Sequence, residues 1–561
     1  MKYTNWKVPA QAPVIPPALL AAGCSPLLAA VLHLRGLSEA REARAFLDGG
    51  AELLHDPMLL SDMIPAVQRI SRAIAMGEHV AIYGDYDVDG ITAGCLLSDY
   101  LRRKGLRCEL YIPDRLGEGY GLNTEAIDRL AQQGVTLIIT VDCGVTNLEE
   151  TEYAASLGVD MIVTDHHECR EELPDAEAVI DPKRPDCLYP GEGLAGVGVA
   201  FKLVCALEGD THRVLADYCD LLALGTVADV MPLTGENRFL VRYGLQMISE
   251  KRCHPGVTAL MEETGVADKR LTAATIGYSL APRINAAGRL GDPQTAVELL
   301  QTGDRRRAAS LAAELCQKNR ERQELEQAIW DQSVKMLSDH IPGTPVVLAY
   351  EGWHPGVIGI VASRLTDAYS VPAVMICLDG DAGKGSCRSI GGFNLYEALT
   401  ACSDLLEGFG GHAMAAGLTV RRENIDELRR RLTEYYVSHP TVYVHALEPD
   451  LLITDPALLS MQCVESLDEL EPCGNANPRP LLYMENALLS QVTPIGGGKH
   501  LRLRVDQFEQ SYDCVFFGQT EKNLGARKGQ RVDIAFAPQI NEFRGHRSVQ
   551  LVITDLRPHE E

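Results

Sequence analysis

The chain has 561 residues, too many for a single hydrophobic core, and its length predicts three or four domains. Hydrophobic residues make up 46% of the sequence and charged residues 23%, which is typical of a globular protein. The 52 Lys and Arg against 77 Asp and Glu give a net charge of −25, which argues against tight, non-specific binding of duplex nucleic acid. A local basic groove remains compatible with that charge, because residues 491–561 are nearly neutral.

The cysteines and the N-terminal segment predict a cytosolic protein. The 16 cysteines form no Cys-x-x-Cys pair, so we expect reduced core cysteines rather than disulfides or a zinc site. The AAGC sequence ending at Cys24 is similar to a lipoprotein signal, but the residues before it are proline-rich and polar, unlike a signal peptide. We therefore expect residues 1–70 to form short helices that pack on the following domain. No run is apolar and long enough to span a bilayer.

From residue 79 onward, short apolar runs alternate with segments of helical spacing. The strand-like runs are HVAIY (79–83), CELYI (108–112), VTLIITV (135–141) and DMIVT (160–164), followed by AEAVID (176–181). The helical segments between them are residues 91–105, 123–134 and 147–158, and more helices follow to Leu224. This alternation predicts an α/β domain with a doubly wound parallel sheet over residues 71–300.

The second half of the chain predicts three further parts. Residues 304–340 contain no Gly or Pro and repeat leucines at helical spacing, which predicts a long connecting helix over residues 301–340 or, equally, a surface helix within one domain. Strand-like runs on either side of the helical GVIGIVASRLTDAY predict a second α/β domain over residues 341–440. Short strands separated by turns predict a small β-barrel over residues 446–561.

Acidic and imidazole side chains follow several of these elements. They are Asp85, Asp87 and Asp89 after the first strand, Asp142 after the third, Asp165, His166 and His167 after the fourth, and Asp229 after a helical run. Ligands of an open parallel sheet bind beyond the carboxyl ends of its strands, so we expect these side chains to converge. Crowded carboxylates raise one another's pKa unless divalent cations keep them ionised. Oxygen ligands with one or two imidazoles suit two ions, Mn²⁺ or Mg²⁺, better than one zinc.

Two other enzyme classes fit this pattern less well. DVDGIT is similar to the D-x-D-G-T motif of haloacid-dehalogenase-type phosphatases, but Ile91 replaces the threonine and that chemistry has no role for the paired histidines. No G-x-G-x-x-G follows the first strand, so a nicotinamide-binding domain is not favoured. Any one of the acidic motifs alone is more typical of helix capping, and only their conjunction indicates a metal centre.

The motifs together resemble a known family. GDYDVDG, VDCG, TDHH and GTVADV resemble the DHH phosphoesterases. APRINAAGRLGD, GWHPGVIGIVASRL, GSCRSI and GFGGHAMAAG resemble the RecJ family and its DHH-associated domain, and LEPCGNANPRPLL with the closing strands resembles the RecJ oligonucleotide-binding (OB-fold) barrel. The resemblance runs from Trp6 to the C-terminus. It implies a single-stranded-DNA-specific exonuclease that acts from the 5′ end, releases 5′-mononucleotides and serves recombination and repair.

The resemblance also implies roles for individual residues. The metal ligands would be Asp87, Asp89, Asp142, His166 and Asp229, with Asp142 bridging two ions and His167 approaching the scissile phosphate. Tyr83 stands where related pyrophosphatases carry a histidine, and Asp85 would compensate as a ligand, directly or through water. The contacts with the strand and its 5′-phosphate would come from Arg115, Arg289, His354, Ser386, Arg388 and His412.

Partners and rival functions follow from the same resemblance. The family implies a bacterial, nucleoid-associated monomer that binds single-stranded DNA, together with single-strand DNA-binding protein and a RecQ-type helicase. A nanoRNase or cyclic-dinucleotide phosphodiesterase of the DHH family is one alternative, and the additional barrel argues against it. A non-catalytic, Cdc45-like DNA-binding scaffold is the other, and the nearly complete ligand set argues against that.

Overall fold

The computed structural model of the chain forms two compact units. The residues it describes are 3, 5–115, 117–118, 121–191, 193–337, 343–440, 446–543 and 545–560. The smaller unit contains Met1–Leu53, Pro232–Gly235 and Val444–Glu561, and the larger contains Leu54–Met231 and Glu236–Tyr443. Among the helices of the described residues, none has both the length and the apolar character that crossing a membrane requires.

The larger unit begins with a five-stranded parallel sheet. In spatial order its strands are Arg107–Tyr111, His79–Gly84, Leu137–Val141, Asp160–Thr164 and Ala178–Ile180. The helices of this domain are Met63–Met76, Val88–Arg103, Thr124–Gln132, Leu148–Ser156, Gly196–Glu208, Thr211–Ala228, Gly235–Ser249, Pro255–Glu263, Ala273–Thr275, the π-helical turn Ile276–Leu280, Ala281–Arg289 and Gln294–Gln301. The predicted doubly wound α/β domain is confirmed. Its first strand lies between the second and third, which makes the gap beside it the topological switch point where such sheets bind ligands.

Local signals in the sequence set the ends of several helices. The side chain of Asn123 accepts a hydrogen bond from the backbone N–H of Ala126 and so caps the helix Thr124–Gln132. Gly134, just beyond that helix, has φ of +84°, a conformation that glycine adopts without strain. These ends agree with the predicted helix over residues 123–134.

The predicted connecting helix spans Arg305–Leu337, and residues 338–340 of the prediction lie outside the described residues. Its buried side chains include Leu311, Leu315 and Ile329. The helix therefore packs through a narrow apolar stripe, while more than half of its residues are exposed to solvent.

The second α/β domain has a mixed five-stranded sheet. In spatial order its strands are Leu406–Gly411, Ala415–Arg421, Ala382–Arg388, Ala373–Asp379 and Val346–Glu351. Its helices are Pro355–Tyr369, Leu395–Thr400 and Ile425–Ser438. Only the pair Val346–Glu351 and Ala373–Asp379 is parallel, and the remaining strands pair antiparallel.

The C-terminal part of the smaller unit is a closed five-stranded barrel with the strand connections of an OB-fold. Its strands are Leu482–Ile495, His500–Gln507, Gln510–Phe516, Arg531–Phe543 and His546–Pro558. The third strand pairs with the fifth in parallel, and the fourth pairs with both the fifth and the first to close the barrel.

The N-terminal helices correct one prediction. Residues 1–70 are not one extension of the first α/β domain, because residues up to Leu53 belong to the unit that contains the barrel. The helices Pro17–Ala21 and Pro26–Leu34 bury Leu19, Leu28 and Leu32 in one core with barrel residues. The helix Ala40–Asp48 contributes to the same core. Proximity in the sequence did not predict which domain these helices pack on, because the apolar stripe of a helix packs on any surface that complements it.

Candidate metal centre and adjoining cleft

The acidic loop after the first strand is held by its own backbone. Asp87 caps the helix Val88–Arg103, accepting hydrogen bonds from the N–H groups of Asp89 at 2.8 Å and Gly90 at 3.1 Å. A Cβ atom on Gly90 would lie 2.5 Å from the carbonyl oxygen of Asp85, so only glycine allows the loop to turn back this closely. The helix N-terminus therefore faces the carboxylates with its positive dipole end.

Asp89 is fixed by a second helix N-terminus. Its two carboxylate oxygens accept hydrogen bonds from the N–H groups of Gly196 at 2.6 Å and Val197 at 2.9 Å. These residues begin the helix Gly196–Glu208, which comes more than a hundred positions later in the chain. A Cβ atom on Gly196 would lie 2.6 Å from the Cβ of Asp142, so this helix also confines Asp142.

Asp142 follows the third strand in a left-handed conformation with φ of +60°. Non-glycine residues adopt that conformation at an energetic cost and are concentrated at functional sites. It places Oδ1 of Asp142 3.0 Å from Nε2 of His166, which follows the fourth strand. The same Nε2 atom lies 3.5 Å from Oδ2 of Asp229 and 3.7 Å from Oδ2 of Asp89.

Three groups of potential metal ligands result from this convergence. In each group the ligand atoms lie within 4.8 Å of one another, and the groups are Asp85–Asp87–Asp142, Asp89–His166–Asp229 and Asp142–His166–His167. Asp142 belongs to two of them, as expected of a ligand shared between two ions. Every residue predicted from the sequence as a metal ligand therefore lies in this cluster.

The carboxylates perturb one another as the sequence predicted. Burial and the nearby Asp87 raise the pKa of Asp89 to about 7. Burial and the nearby Asp89 raise the pKa of Asp229 to about 7 and that of Asp142 well above its usual range. Burial and the nearby His167 lower the pKa of His166, which favours the neutral imidazole that binds metals. The cluster therefore concentrates negative charge that bound cations would neutralise.

Two buried polar atoms without a hydrogen-bond partner in the described part of the chain also indicate that the cluster is suited to bind cations. Oδ1 of Asp85 and Nδ1 of His166 are buried without a hydrogen-bond partner among the described residues. The hydroxyl of Tyr83 instead donates to the carbonyl oxygen of Gly121 at 3.0 Å and accepts from Asn123 at 3.1 Å. Tyr83 is thus a structural residue. The carboxylate of Asp85 is the metal-binding oxygen group available in the part of the cluster formed with Asp87 and Asp142. Carboxylates with a single neutral imidazole are a suitable donor set for Mn²⁺ or Mg²⁺.

His167 is oriented by a residue to which the sequence assigned no role. Oδ1 of Asp165 accepts hydrogen bonds from Nδ1 of His167 at 2.7 Å and from the backbone N–H of His166 at 2.7 Å. Burial opposes protonation of His167, but this hydrogen bond and the charge of Asp165 raise its pKa to about 9. In the metal-free protein this contact favours the imidazolium form of His167. The position of Asp165 directly before the two histidines was the available sequence signal.

A cleft of about 830 Å³ adjoins the cluster and collects most of the predicted substrate contacts. Arg115, Ser386, Arg388 and His412 line it, together with Tyr86 and Lys384, which the sequence did not single out. Its walls come from the glycine-rich strands of the second α/β domain, whose backbones allow close approach of a ligand.

Arg289 and His354 lie beside this cleft rather than in its lining. Nη1 of Arg289 donates to the carbonyl oxygen of Gly356, a lining residue, at 3.2 Å. Nδ1 of His354 accepts from the N–H of Gly356 at 3.1 Å and caps the helix Pro355–Tyr369. Burial and the nearby Arg115 lower the pKa of both Arg289, to about 10, and His354.

Comparison with known proteins places the chain in a family. Family models match in the order of the domains: the DHH family N-terminal domain over residues 79–226, the DHHA1 domain over 343–438 and the RecJ OB domain over 452–555. The single-stranded-DNA-specific exonuclease RecJ of Bacillus subtilis is 40% identical over 95% of this chain and 68% of that protein. The protein of the same name from Escherichia coli is 35% identical over 96% of this chain and 97% of its own length. This chain belongs to the RecJ family.

Solved RecJ structures share the fold and include bound metal ions. The crystal structure of RecJ from Thermus thermophilus in complex with Mn²⁺ has a TM-score of 0.84 and 31% identity, covering 99% of this chain and 80% of that chain. A crystal structure of exonuclease RecJ bound to manganese has a TM-score of 0.61 and 36% identity, covering 69% of this chain and 96% of that chain. Members of the RecJ family thus bind the ion that the donor set of this chain fits.

Another carboxylate at the same sheet edge escaped the sequence analysis. Asp181 follows the fifth strand, is fully buried, and has an Oδ2 atom without a hydrogen-bond partner among the described residues. Burial and the nearby Asp165 raise its pKa to about 7. Its place directly after the apolar run AEAVI is the signal by which it could have been found.

Proposed function

We propose that this chain is a metal-dependent exonuclease that digests single-stranded DNA from the 5′ end, releases 5′-mononucleotides and serves recombination and repair. The observation that carries the proposal is the adjacency of two chemically different sites. Tyr86 lines the cationic cleft, and its neighbours in sequence, Asp85 and Asp87, belong to the carboxylate cluster. A terminal phosphate held in the cleft leaves the adjacent phosphodiester beside the cluster.

The metal ligands in this proposal are Asp85, Asp87, Asp89, Asp142, His166 and Asp229. Divalent ions bound there would supply an activated water nucleophile and neutralise charge on the phosphate. The protein's own contribution is to hold the ligands in place before the substrate arrives. Backbone N–H groups orient Asp89, and the left-handed backbone of Asp142 aims its carboxylate at both ligand groups.

His167 acts on the phosphate in this scheme. As an imidazolium oriented by Asp165, it donates a hydrogen bond to a phosphoryl oxygen. That bond strengthens as negative charge develops on the oxygen in the transition state. The metal ligand His166 and the phosphate donor His167 therefore divide their roles according to protonation, one neutral and one cationic.

The cationic cleft supports digestion from a phosphorylated end of the strand, and the 5′ direction is the one that the family resemblance implies. Arg115 and Arg388 present guanidinium groups that suit the two negative charges of a terminal phosphate. A Cβ atom on Gly359 would lie 2.8 Å from Oγ of Ser386, so that glycine allows Ser386 and Arg388 to reach their positions. An internal phosphodiester carries one negative charge instead of two, and we expect it to bind the cationic cleft less tightly.

The barrel supplies a second contact with the strand. Its second strand exposes Arg502 and Arg504 on one face, where Arg502 pairs across the sheet with Thr493 and Val515. Phe517 at the end of the third strand is 58% exposed, and Phe543 at the end of the fourth is 64% exposed. OB-folds bind oligonucleotides on the second and third strands and adjacent loops, so we assign base stacking to these two phenylalanines.

The family-based partners are part of the proposal. Single-strand DNA-binding protein and a RecQ-type helicase would deliver the strand, and the enzyme would act as a monomer at the bacterial nucleoid. Sedimentation with and without purified single-strand DNA-binding protein tests the monomeric state and the binding of that partner. A dimer, or no shift on adding the partner, contradicts them.

Single-stranded DNA labelled at either end, incubated with Mn²⁺ or Mg²⁺, tests the proposed activity. We expect loss of the 5′ label first, as mononucleotides, and no digestion of duplex. Asp142→Ala should abolish cleavage while strand binding survives, and the exposed Asp426→Ala serves as the matched control. Rates on substrates from a dinucleotide to a 40-mer distinguish this exonuclease from a nanoRNase or cyclic-dinucleotide phosphodiesterase. A dinucleotide-specific enzyme slows as the strand lengthens.

A further inference from the structure

Tyr86 occupies the boundary between the metal cluster and the cleft. It lies between Asp85 and Asp87 in the chain, and its side chain lines the cleft. The guanidinium carbon of Arg115 lies 4.8 Å from the centroid of the Tyr86 ring. That distance is within the range of a cation–π interaction, which orients a cation over an aromatic face.

The backbone of Tyr86 is held from the opposite side. A Cβ atom on Gly288 would lie 2.4 Å from the carbonyl oxygen of Tyr86, so the helix Ala281–Arg289 packs directly on this loop. Oδ1 of Asn285, on the same helix, accepts a hydrogen bond from the N–H of Val88 at 3.2 Å. With its backbone confined in this way, the ring of Tyr86 provides a fixed surface for Arg115.

The charges of the cleft explain why an aromatic ring suits this position. Among the described residues that line the cleft, none is Asp or Glu. Burial and the nearby Arg115 lower the pKa of Arg388, which indicates that the arginines repel one another there. A carboxylate would hold Arg115 but also cancel its charge and compete with an incoming phosphate. An aromatic face orients the guanidinium and leaves its hydrogen-bond donors free for an anion.

We propose that Tyr86 is a positioning residue that holds the Arg115 guanidinium at the site of the 5′-terminal phosphate and thereby makes the enzyme select 5′-phosphorylated strands. The inference rests on the proposed exonuclease function. It assigns end selectivity to the contact between Tyr86 and Arg115, separately from the metal chemistry of Asp85 and Asp87.

The test compares Tyr86→Phe, which keeps the ring, with Tyr86→Leu, which fills much of the same space without an aromatic face. The measured quantity is the ratio of kcat/KM for a 5′-phosphorylated strand to that for the same strand with a 5′-hydroxyl. We expect the phenylalanine variant to keep the wild-type ratio. In the leucine variant the ratio should fall about tenfold. Arg115→Ala should lose at least as much, and calorimetric titration with Mn²⁺ should give wild-type affinity for both Tyr86 variants.

Three results would overturn the inference. One is a leucine variant that keeps the ratio, and another is an equal loss of rate on both strands with weakened Mn²⁺ binding, which would make Tyr86 a support of the metal loop. The third is a wild-type enzyme that cuts both strands equally well. A wild-type enzyme that cuts neither strand refutes the proposed function itself, so the two failures are distinguishable.

Discussion

Nδ1 of His167 lies 2.7 Å from Oδ1 of Asp165, and the same carboxylate oxygen accepts the backbone N–H of His166. One buried carboxylate therefore orients both histidines that follow it. Although burial opposes ionisation, the hydrogen bond and charge of His167 lower the pKa of Asp165, so the pair is an ion pair at neutral pH. The division of the two histidines into a neutral ligand and a cationic donor originates in this contact.

Replacing Asp165 should shift the pH dependence of hydrolysis. The pKa of His167 is about 9, and Asp165 is what raises it. If the imidazolium is the active form, activity falls as pH rises through that pKa, and Asp165→Asn moves this alkaline limb to lower pH. A pH–rate profile of kcat for wild type and variant measures the shift. An unchanged alkaline limb would show that His167 does not donate to the phosphate.

The close approach of Gly196 to Asp142 predicts a specific steric effect. Gly196→Ala places a methyl group 2.6 Å from the Cβ of Asp142 and displaces either that residue or the N–H groups that bind Asp89. We expect weaker Mn²⁺ binding, by about 10- to 100-fold, as for other residues that orient metal ligands. Gly198→Ala in the same helix is the matched control, because the atoms nearest to its added Cβ belong to the side chain of Leu194, at 3.3 Å and beyond. Equal Mn²⁺ affinity in the two variants would refute this account.

The exposed face of the barrel predicts separable losses of strand affinity. Phe517→Ala should weaken binding of a long single strand by about 1–3 kcal/mol through lost stacking, with little change in salt dependence. Arg502→Ala should instead reduce the slope of log affinity against log salt by about 0.7, because one phosphate contact is lost. Fluorescence anisotropy at several salt concentrations measures both. Tyr350→Ala, an exposed aromatic of the second α/β domain, is the control. Identical salt slopes for wild type and Arg502→Ala would exclude Arg502 from the strand path.

A buried ion pair away from the site predicts a pH dependence of stability. Nδ1 of His254 lies 2.8 Å from the fully buried Oδ2 of Asp220. Burial opposes protonation, but the charge and hydrogen bond of Asp220 raise the pKa of His254. Its stabilising contribution is therefore full below the unfolded pKa of about 6.5 and is lost as pH rises through the folded pKa.

The difference in Tm between wild type and His254→Gln measures this contribution. We expect a larger difference at pH 6 than at pH 9.5. A difference that stays constant over this range would mean that His254 remains neutral in the folded protein.

The positions of the metal ligands were accessible from the sequence for a simple reason. Continuous apolar runs such as LIITV mark buried parallel strands, and the carboxyl ends of such strands meet at one edge of a sheet. Asp142 and His166 follow two strands that pair in parallel. Their convergence therefore follows from the positions at which these two strands end. The same argument applies to Asp85 and to the overlooked Asp181.

Other features depended on contacts that no local pattern encodes. The N–H groups that bind Asp89 come from Gly196 and Val197, and the helix behind Tyr86 comes from residues 281–289. The N-terminal helices pack with the barrel at the other end of the chain, against expectation.

The sequence by itself determined most of the elements, the order of the main domains and the candidate metal ligands, because periodicity and strand ends are local properties. Only the tertiary structure decided which histidine is neutral, which glycines confine the ligands and which ring faces Arg115. Those outcomes depend on burial and on distances between remote segments, which are set when the whole chain packs.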